Sequence, residues 1–331
     1  MVHALNQRPM LSIVVPVYNE EDTVGKFLKA IRDALAAVTE DYEIIFVADP
    51  CTDRTVDMLR DEHARDGRIK ILVFSRRFGQ PAATWGGLSF AQGRGVVVID
   101  CDLQDPPGLI PEMVRRWREG YKVVIPQRRS RKGETLLKRV IAYLGYKFIN
   151  KICSVPIPRN TGDFRLLDRV VVDELMKLNE SHGFLRGLTG VVGFKTCLLP
   201  FDREARAGGK GKYNRLTGSL RIGFNGIVAF SDYLLNLMVA IGFAMASLAV
   251  VAMAVIAYLK ASGTYDFAAG LATVAMLVLL LTGVQFIGMG ILGAYIGRIY
   301  DESKRRPKFI VEEQVGWQAP EDPGHAAGSL T

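Results

Sequence analysis

Acidic and amide side chains follow three apolar runs in this chain. Asn19 and Glu20 come after LSIVVPV, Asp49 and Asp53 after YEIIFVA, and Asp100, Asp102 and Asp105 lie in VVVIDCDLQDPP at 96–107. Three carboxylates this close to an apolar strand repel one another unless a cation lies between them. Side chains of an extended chain alternate with period two, so Asp100 and Asp102 are expected on one side, with Gln104 next in the alternation. Two carboxylates and an amide oxygen suit Mg²⁺ or Mn²⁺, hard cations that keep waters and bind substrate phosphates. A solvated acidic turn is the alternative that the pattern alone leaves open. Asp105 falls outside the alternation and reads as a turn acid.

Other chemistries that place an aspartate after a strand fit less well. A P-loop needs GxxxxGKS or GxxxxGKT, and GVVGFKT at 190–196 has Phe194 where glycine is required. An aspartyl phosphatase of the haloacid dehalogenase type needs DxDxT or DxDxV on its first strand, and here Gln104 fills the last place on the fourth. A dinucleotide fold needs GxGxxG after the first strand, where PVYNEED stands instead.

The elements that must position these residues alternate. Apolar runs at 11–17, 42–48, 69–74 and 95–100 read as strands; 20–38, 53–64 and 80–92 read as helices or turns between them. That order predicts an α/β fold with a doubly wound, mostly parallel sheet, whose ligands bind beyond the carboxyl ends of the strands. Asn19, Asp49 and Asp100 should therefore meet at one edge.

Composition shifts after residue 230. The chain has 331 residues, 49% hydrophobic and 23% charged, with a net charge of +8. Its mean hydropathy of +0.15 is high for so much charge, which implies that greasy and soluble parts are segregated. No charged residue occurs over 233–259 or 267–297, and each run exceeds the roughly 20 residues that a helix needs to cross a bilayer. The expected organisation is a cytoplasmic catalytic domain over 1–213, a juxtamembrane amphipathic helix over 214–232, two transmembrane helices within 233–298, and a cytoplasmic tail over 299–331. Basic residues flank the pair on both outer sides, while the turn between the spans holds only Lys260, which puts both ends in the cytoplasm. A second amphipathic stretch, 134–151, reads as an interfacial helix or as packing onto the domain. The tail from Glu312 is expected to be disordered. MVHALNQRPM has no apolar core, so no cleavable signal peptide is expected. Four scattered cysteines give no support for structural zinc or a disulfide framework. The positive balance suits nucleic acid, anionic lipid or phosphorylated substrates.

Taken together, VVPVYNEE at 14–21, VADPCTD at 47–53 and DCDLQDPP at 100–107 resemble the family 2 inverting glycosyltransferases. NTGDFRL at 160–166, REARAGGKGKY at 203–213 and GAYIGRIYDESKRRP at 293–307 narrow the resemblance to polyprenyl-phosphate glycosyltransferases, similar to dolichyl-phosphate mannose synthases and bacterial undecaprenyl-phosphate glucosyltransferases. The resemblance implies a glycosyltransferase A-type domain, a nucleotide-sugar donor (UDP-glucose as first choice), a polyprenyl phosphate acceptor in the membrane lipid, and a homotetramer without nucleic acid. It implies that Mg²⁺ or Mn²⁺ sits on Asp100, Asp102 and Gln104. Pro16, Tyr18, Glu20 and Asp100 would line the nucleotide, and Asp49 would reach its base. Asp163 would stand with Asp102 at the catalytic centre, although a helix N-cap for 166–178 fits Asp163 as well. Arg165 would bind the Asp163 carboxylate or a phosphate. Arg128, Lys138, Arg139, Arg203, Arg206 and Lys212 would clamp the lipid phosphate or the diphosphate. The chain departs from the pattern at Ala48, Lys210, Gly211 and Ala294, where acids or a hydroxyl are usual. A processive polysaccharide synthase would carry QxxRW; MVRRW at 113–117 lacks the glutamine and lies too close to DCD. A non-catalytic membrane scaffold is the reading from another class, and the intact Asp100, Asp102 and Asp163 argue against it.

Overall fold

A computed structural model describes residues 8–129, 158, 160–178, 185–201, 233–262 and 270–317. The chain forms two compact units. The first comprises Met1–Val140, Pro156–Lys212 and Pro307–Thr331, and the second comprises Ile141–Val155 and Tyr213–Arg306.

An eight-stranded sheet organises the first unit, in the order β7-β5-β6-β4-β1-β2-β3-β8. β1 (Leu11–Val17) and β2 (Tyr42–Ala48) are buried at every position, because helices cover both faces of a parallel sheet and leave no polar side for alternation. β3 (Ile69–Phe74) and β4 (Gly95–Val98) extend the parallel centre on either side. α1 (Val24–Ala36) packs on it through Val24, Phe27, Leu28, Ile31 and Leu35, the three-and-four spacing of an amphipathic helix. α2 (Thr55–Arg65) buries only Thr55 and Leu59. α3 (Gln80–Phe90) lies so close to the sheet that a Cβ on Gly86 would come within 2.8 Å of the Phe74 ring. α4 (Ile110–Arg118) precedes β5 (Val123–Arg128), which pairs in parallel with β7 (Thr196–Phe201).

Three local expectations are corrected. The strand expected over 95–100 ends at Val98, and 101–105 is a turn with Leu103 in the left-handed region at φ 57°. Period-two alternation therefore does not carry from Asp100 to Gln104. The segment expected as a helix from 166 opens as β6 (Arg165–Asp168), antiparallel to β4 and β5. Its backbone pairs with both strands, and its apolar Leu166 and Leu167 are buried. α5 (Arg169–Lys177) begins only afterwards, capped by Asp168, which accepts from the Val170 amide at 3.1 Å. Asp163 is thus not the cap. α6 (Leu185–Val191) follows. Cys51, Cys101 and Cys197 are free thiols.

In the second unit, α7 spans Tyr233–Ala261 and α8 spans Leu271–Ser303, 29 and 33 residues. Val239, Phe243, Leu248, Val251 and Val255 on α7, and Val278, Phe286, Ile287, Met289 and Ile296 on α8, are exposed. Among the described residues no helix is long and apolar enough to cross a membrane, so the expected pair of spans is not established on that ground. The amphipathic stretches at 134–151 and 214–231 lie outside the described residues.

The third correction is the C-terminal segment. Rather than being disordered from Glu312, Val311–Val315 forms β8, antiparallel to β3 at the sheet edge. Ser75 N–H donates to Ile310 O at 3.0 Å, and Phe309 stacks on the buried Phe74, with centroids 5.1 Å apart and planes at 11°. Lys308 Nζ lies 4.1 Å from the Trp85 ring centroid and donates to Leu178 O. Arg60 pairs with Glu313 at 2.6 Å, and Trp317 meets Phe90 edge-on. Polar β8 is half covered and has little apolar area of its own, so its flanking aromatics anchor it. Phe309→Ala is expected to destabilise the first unit by about 1–3 kcal/mol. Hydrogen exchange at Ser75 should accelerate with it, and unchanged exchange in the variant would contradict the anchoring role.

Candidate active site

The loops after β1 and β2 are hydrogen-bonded to each other beyond the strand ends. Asn19, left-handed at φ 56°, donates from Nδ2 to Thr52 Oγ1 at 3.0 Å and accepts from Thr52 N–H at 2.8 Å. Glu20 N–H donates to Thr55 Oγ1 at 2.8 Å, and Arg54 N–H donates to Glu21 Oε2 at 3.1 Å. Both loops are thereby fixed as one rim. Tyr18 and Glu20 are half-buried on it, whereas Pro16 is buried within β1. The Arg77 guanidinium lies 4.1 Å from the Tyr18 ring centroid, an exposed cation that motif reading did not pick out.

Asp49 is placed differently from expectation. It is buried, and its two oxygens accept from the Phe78 and Gly79 amides at 3.1 and 2.9 Å. Gly79 holds φ 91°, a backbone state that suits glycine. Asp49 therefore shapes the 75–79 loop rather than reaching outward on its own.

Beside this rim lies a cluster of acids. Asp100 accepts from Gln80 Nε2 at 2.7 Å, a neutral donor. Burial, followed by the charges of Asp163, Asp102 and Asp105, pushes its carboxyl up to about 7. Asp102 Oδ1 accepts from the Gln104 amide at 3.0 Å, which closes the turn around Leu103. Asp102 and Gln104 are thus joined through a backbone N–H and a turn rather than through an extended strand. Asp105 is buried and pairs with Arg128 Nη2 at 3.2 Å. Arg128 Nε is buried and has no hydrogen-bond partner among the described residues. Gly162 sits against this pair, and a Cβ there would lie 3.4 Å from Arg128 Nη2 and 3.5 Å from Asp105 Oδ2.

Asp163 completes the cluster. Its oxygens accept from Arg186 Nε at 2.8 Å and Nη2 at 3.1 Å. Burial would raise its carboxyl, but the Arg186 bond and charge, with Arg165 and Arg128, bring it below the usual range. Arg165 is fully buried, which lowers its guanidinium to about 10. It donates to Asp163 O, Gly162 O, Leu185 O and Thr189 Oγ1. The expectation that Arg165 binds a lipid phosphate or the Asp163 carboxylate is corrected: its hydrogen bonds go to protein carbonyls and a hydroxyl, and it braces the TGDF loop against α6. Arg186 lies 20 residues beyond any motif in FLRGL; only the surplus of acid over base at 100–105 and 163 pointed to a missing cation. Lys138, Arg139, Arg203, Arg206 and Lys212 lie outside the described residues.

Among the described residues no group of three or more His, Cys, Asp or Glu side chains is arranged to hold a metal ion. Mg²⁺ does not need one, since it usually keeps waters and uses one or two carboxylates with substrate phosphates. The excess of negative charge around Asp100 and Asp102, with Gln104 adjoining, fits such a cation.

Strands carrying loops at their carboxyl ends, a fixed rim and an acid cluster make a mixed α/β domain with a polar site at the strand ends, and sequence comparison gives its family. Residues 12–176 match the family described as Glycosyl transferase family 2. An uncharacterized glycosyltransferase of Bacillus subtilis, YkcC, is 41% identical over 92% of this chain and 94% of its own length. The uncharacterized glycosyltransferase sll0501 of Synechocystis is 40% identical over 92% and 96%. A bactoprenol glucosyl transferase of Shigella phage SfV is 36% identical over 92% and 98%. The chain belongs to glycosyltransferase family 2.

The raised Asp100 carboxyl gives a signed prediction. The folded protein holds this proton up to about pH 7, while the unfolded chain releases it near 3.8. The charged form therefore destabilises the fold above pH 7, and the penalty is relieved as pH falls toward 4. With chelator present, Asp100→Asn is expected to be more stable than the wild type at pH 8, with the gap clearly smaller at pH 5. Thermal unfolding at the two pH values measures this, and a variant less stable at pH 8 would refute it.

Proposed function

We propose that the chain transfers one sugar from a nucleotide sugar to a polyprenyl phosphate at the cytoplasmic membrane face, with inversion. The observation that carries this reading is the acid cluster in which Asp100, among the described residues, accepts from the neutral Gln80 amide while the charges of Asp163, Asp102 and Asp105 raise its carboxyl, in a family 2 glycosyltransferase. The bactoprenol glucosyl transferase relatives support the acceptor class and favour glucose, with UDP-glucose as the first donor to test. GDP-mannose, UDP-GlcNAc and an aminoarabinose donor are the alternatives.

A bound Mg²⁺ or Mn²⁺ would supply Lewis-acid charge to the leaving diphosphate, with Asp100, Asp102 and Gln104 proposed to hold it. Tyr18, Glu20 and the Asp49-braced loop line the nucleotide side. An oxygen of the acceptor phosphate attacks the anomeric carbon, forming the new C–O bond as the bond to the diphosphate breaks, and the nucleoside diphosphate departs with that electron pair. A phosphate monoester has its second pKa near about 6, so the attacking oxygen is already largely anionic at neutral pH. Asp163 therefore orients the acceptor rather than removing a proton. The chief obstacle is repulsion between the two phosphate groups, and Arg128, whose Nε lacks a protein partner among the described residues, is the described cation proposed to offset it. Lys138, Arg139, Arg203, Arg206 and Lys212 are proposed to do the same.

Anchoring in the membrane belongs to the same proposal. The uncharged stretches 233–259 and 267–297 exceed the length that a bilayer requires. The exposed apolar side chains of α7 and α8 would otherwise face water. A homotetramer is the proposed assembly.

Purified full-length protein in nanodiscs, given polyprenyl phosphate, Mg²⁺ or Mn²⁺ and a panel of labelled nucleotide sugars, should yield one lipid-linked sugar. Asp102→Asn should lower its rate at least 100-fold. No lipid-linked product from any donor would reject the reading, and full activity in the variant would reject the cation site.

A further inference from the structure

We infer that Arg186 is a positioning residue: its guanidinium fork holds both oxygens of Asp163, withholding that carboxylate from the cation at Asp100 and Asp102 and leaving it for the acceptor. This rests on the proposed cation site.

The argument begins with how positive charge is shared among the acids. Asp105 has Arg128, Asp163 has Arg186, and Asp100 has the amide of Gln80. A further carboxylate in this cluster would be a natural ligand for a hard cation, because such ions gather oxygen anions. The two-pronged contact of Nε and Nη2, at 2.8 and 3.1 Å, removes that freedom.

Placement of the pair is determined separately. Arg165 holds the Asp163 carbonyl at 3.2 Å and the Leu185 carbonyl at 3.3 Å, so the loop and the start of α6 share one buried brace. Thr189 Oγ1 also donates to the Arg186 carbonyl. Arg165 thus secures this backbone independently of the Arg186 side chain. The side chains of Arg186 and Asp163 are 30% and 31% exposed. A pair this open to solvent adds little stability, typically below about 1 kcal/mol, and an incoming phosphate can reach it. Structural economy alone thus gives a poor account of the contact, whereas orientation of Asp163 gives a direct one.

The test uses full-length protein in nanodiscs, with Mn²⁺ binding read by electron paramagnetic resonance and turnover measured separately. Arg186→Gln is expected to bind Mn²⁺ at least threefold more tightly, because Asp163 is released to it. Its kcat should fall at least tenfold with the donor KM within twofold. Arg186→Lys, which keeps the charge without the fork, should recover part of that kcat. In an Asp163→Asn background, Arg186→Gln should no longer tighten Mn²⁺ binding. A merely structural role would loosen the site and weaken Mn²⁺ binding. Unchanged or weaker binding in Arg186→Gln, or a retained kcat, would overturn the assignment. Should the wild type form no lipid-linked product, the proposed function fails, while the Mn²⁺ comparison still decides the role of Arg186.

Discussion

Repulsion among Asp100, Asp102, Asp105 and Asp163 is the constraint around which the first unit is arranged. Four acids near one sheet edge are tolerable only if most are answered locally. Arg128 answers Asp105 and Arg186 answers Asp163. Arg165 gives no side-chain bond to either, yet it holds the backbone on which Asp163 sits. The arrangement leaves the imbalance concentrated at Asp100, where a hydrogen bond from Gln80 moderates it without neutralising it. The local instability of the unit is thus concentrated at Asp100.

The rim around that cluster is rigid for a different reason. Asn19, Thr52, Glu20, Thr55, Glu21 and Arg54 join two loops by three side-chain bonds to backbone groups and one between side chains, so few torsions remain free there. Asp49 does the same for the 75–79 loop. Gln80, the partner of Asp100, opens α3 just after that loop. One buried carboxylate therefore reaches the acid cluster indirectly, through the position of the residue that follows its loop.

Much of this was legible in the sequence, and the failures have physical causes. β1, β2 and β3 read clearly because burial on both faces favours apolar runs rich in β-branched residues. The convergence of Asn19 with the 49–55 loop followed from strands that run parallel. β6 did not read, because four residues joined directly to a helix carry too short a pattern to set a period. The extended course assumed for 100–104 failed because nothing in DCDLQ announces the left-handed Leu103. Arg165 was misassigned since an arginine in a charged motif suggests a ligand, and only burial reveals a brace. β8 was obscured by its polar sequence, VEEQV, whose stability comes from Phe309 and Trp317 on either side.

β8 also bears on the order in which the molecule can be completed. The strand that closes the β3 edge is encoded after both long helices, so a ribosome must finish α7 and α8 before that edge can be covered. Until then β3 presents unpaired backbone groups, the kind of surface on which chains aggregate. A nascent chain stalled between Phe201 and Pro307 would hold seven of the eight strands with one open side, a surface that nascent-chain quality control would meet.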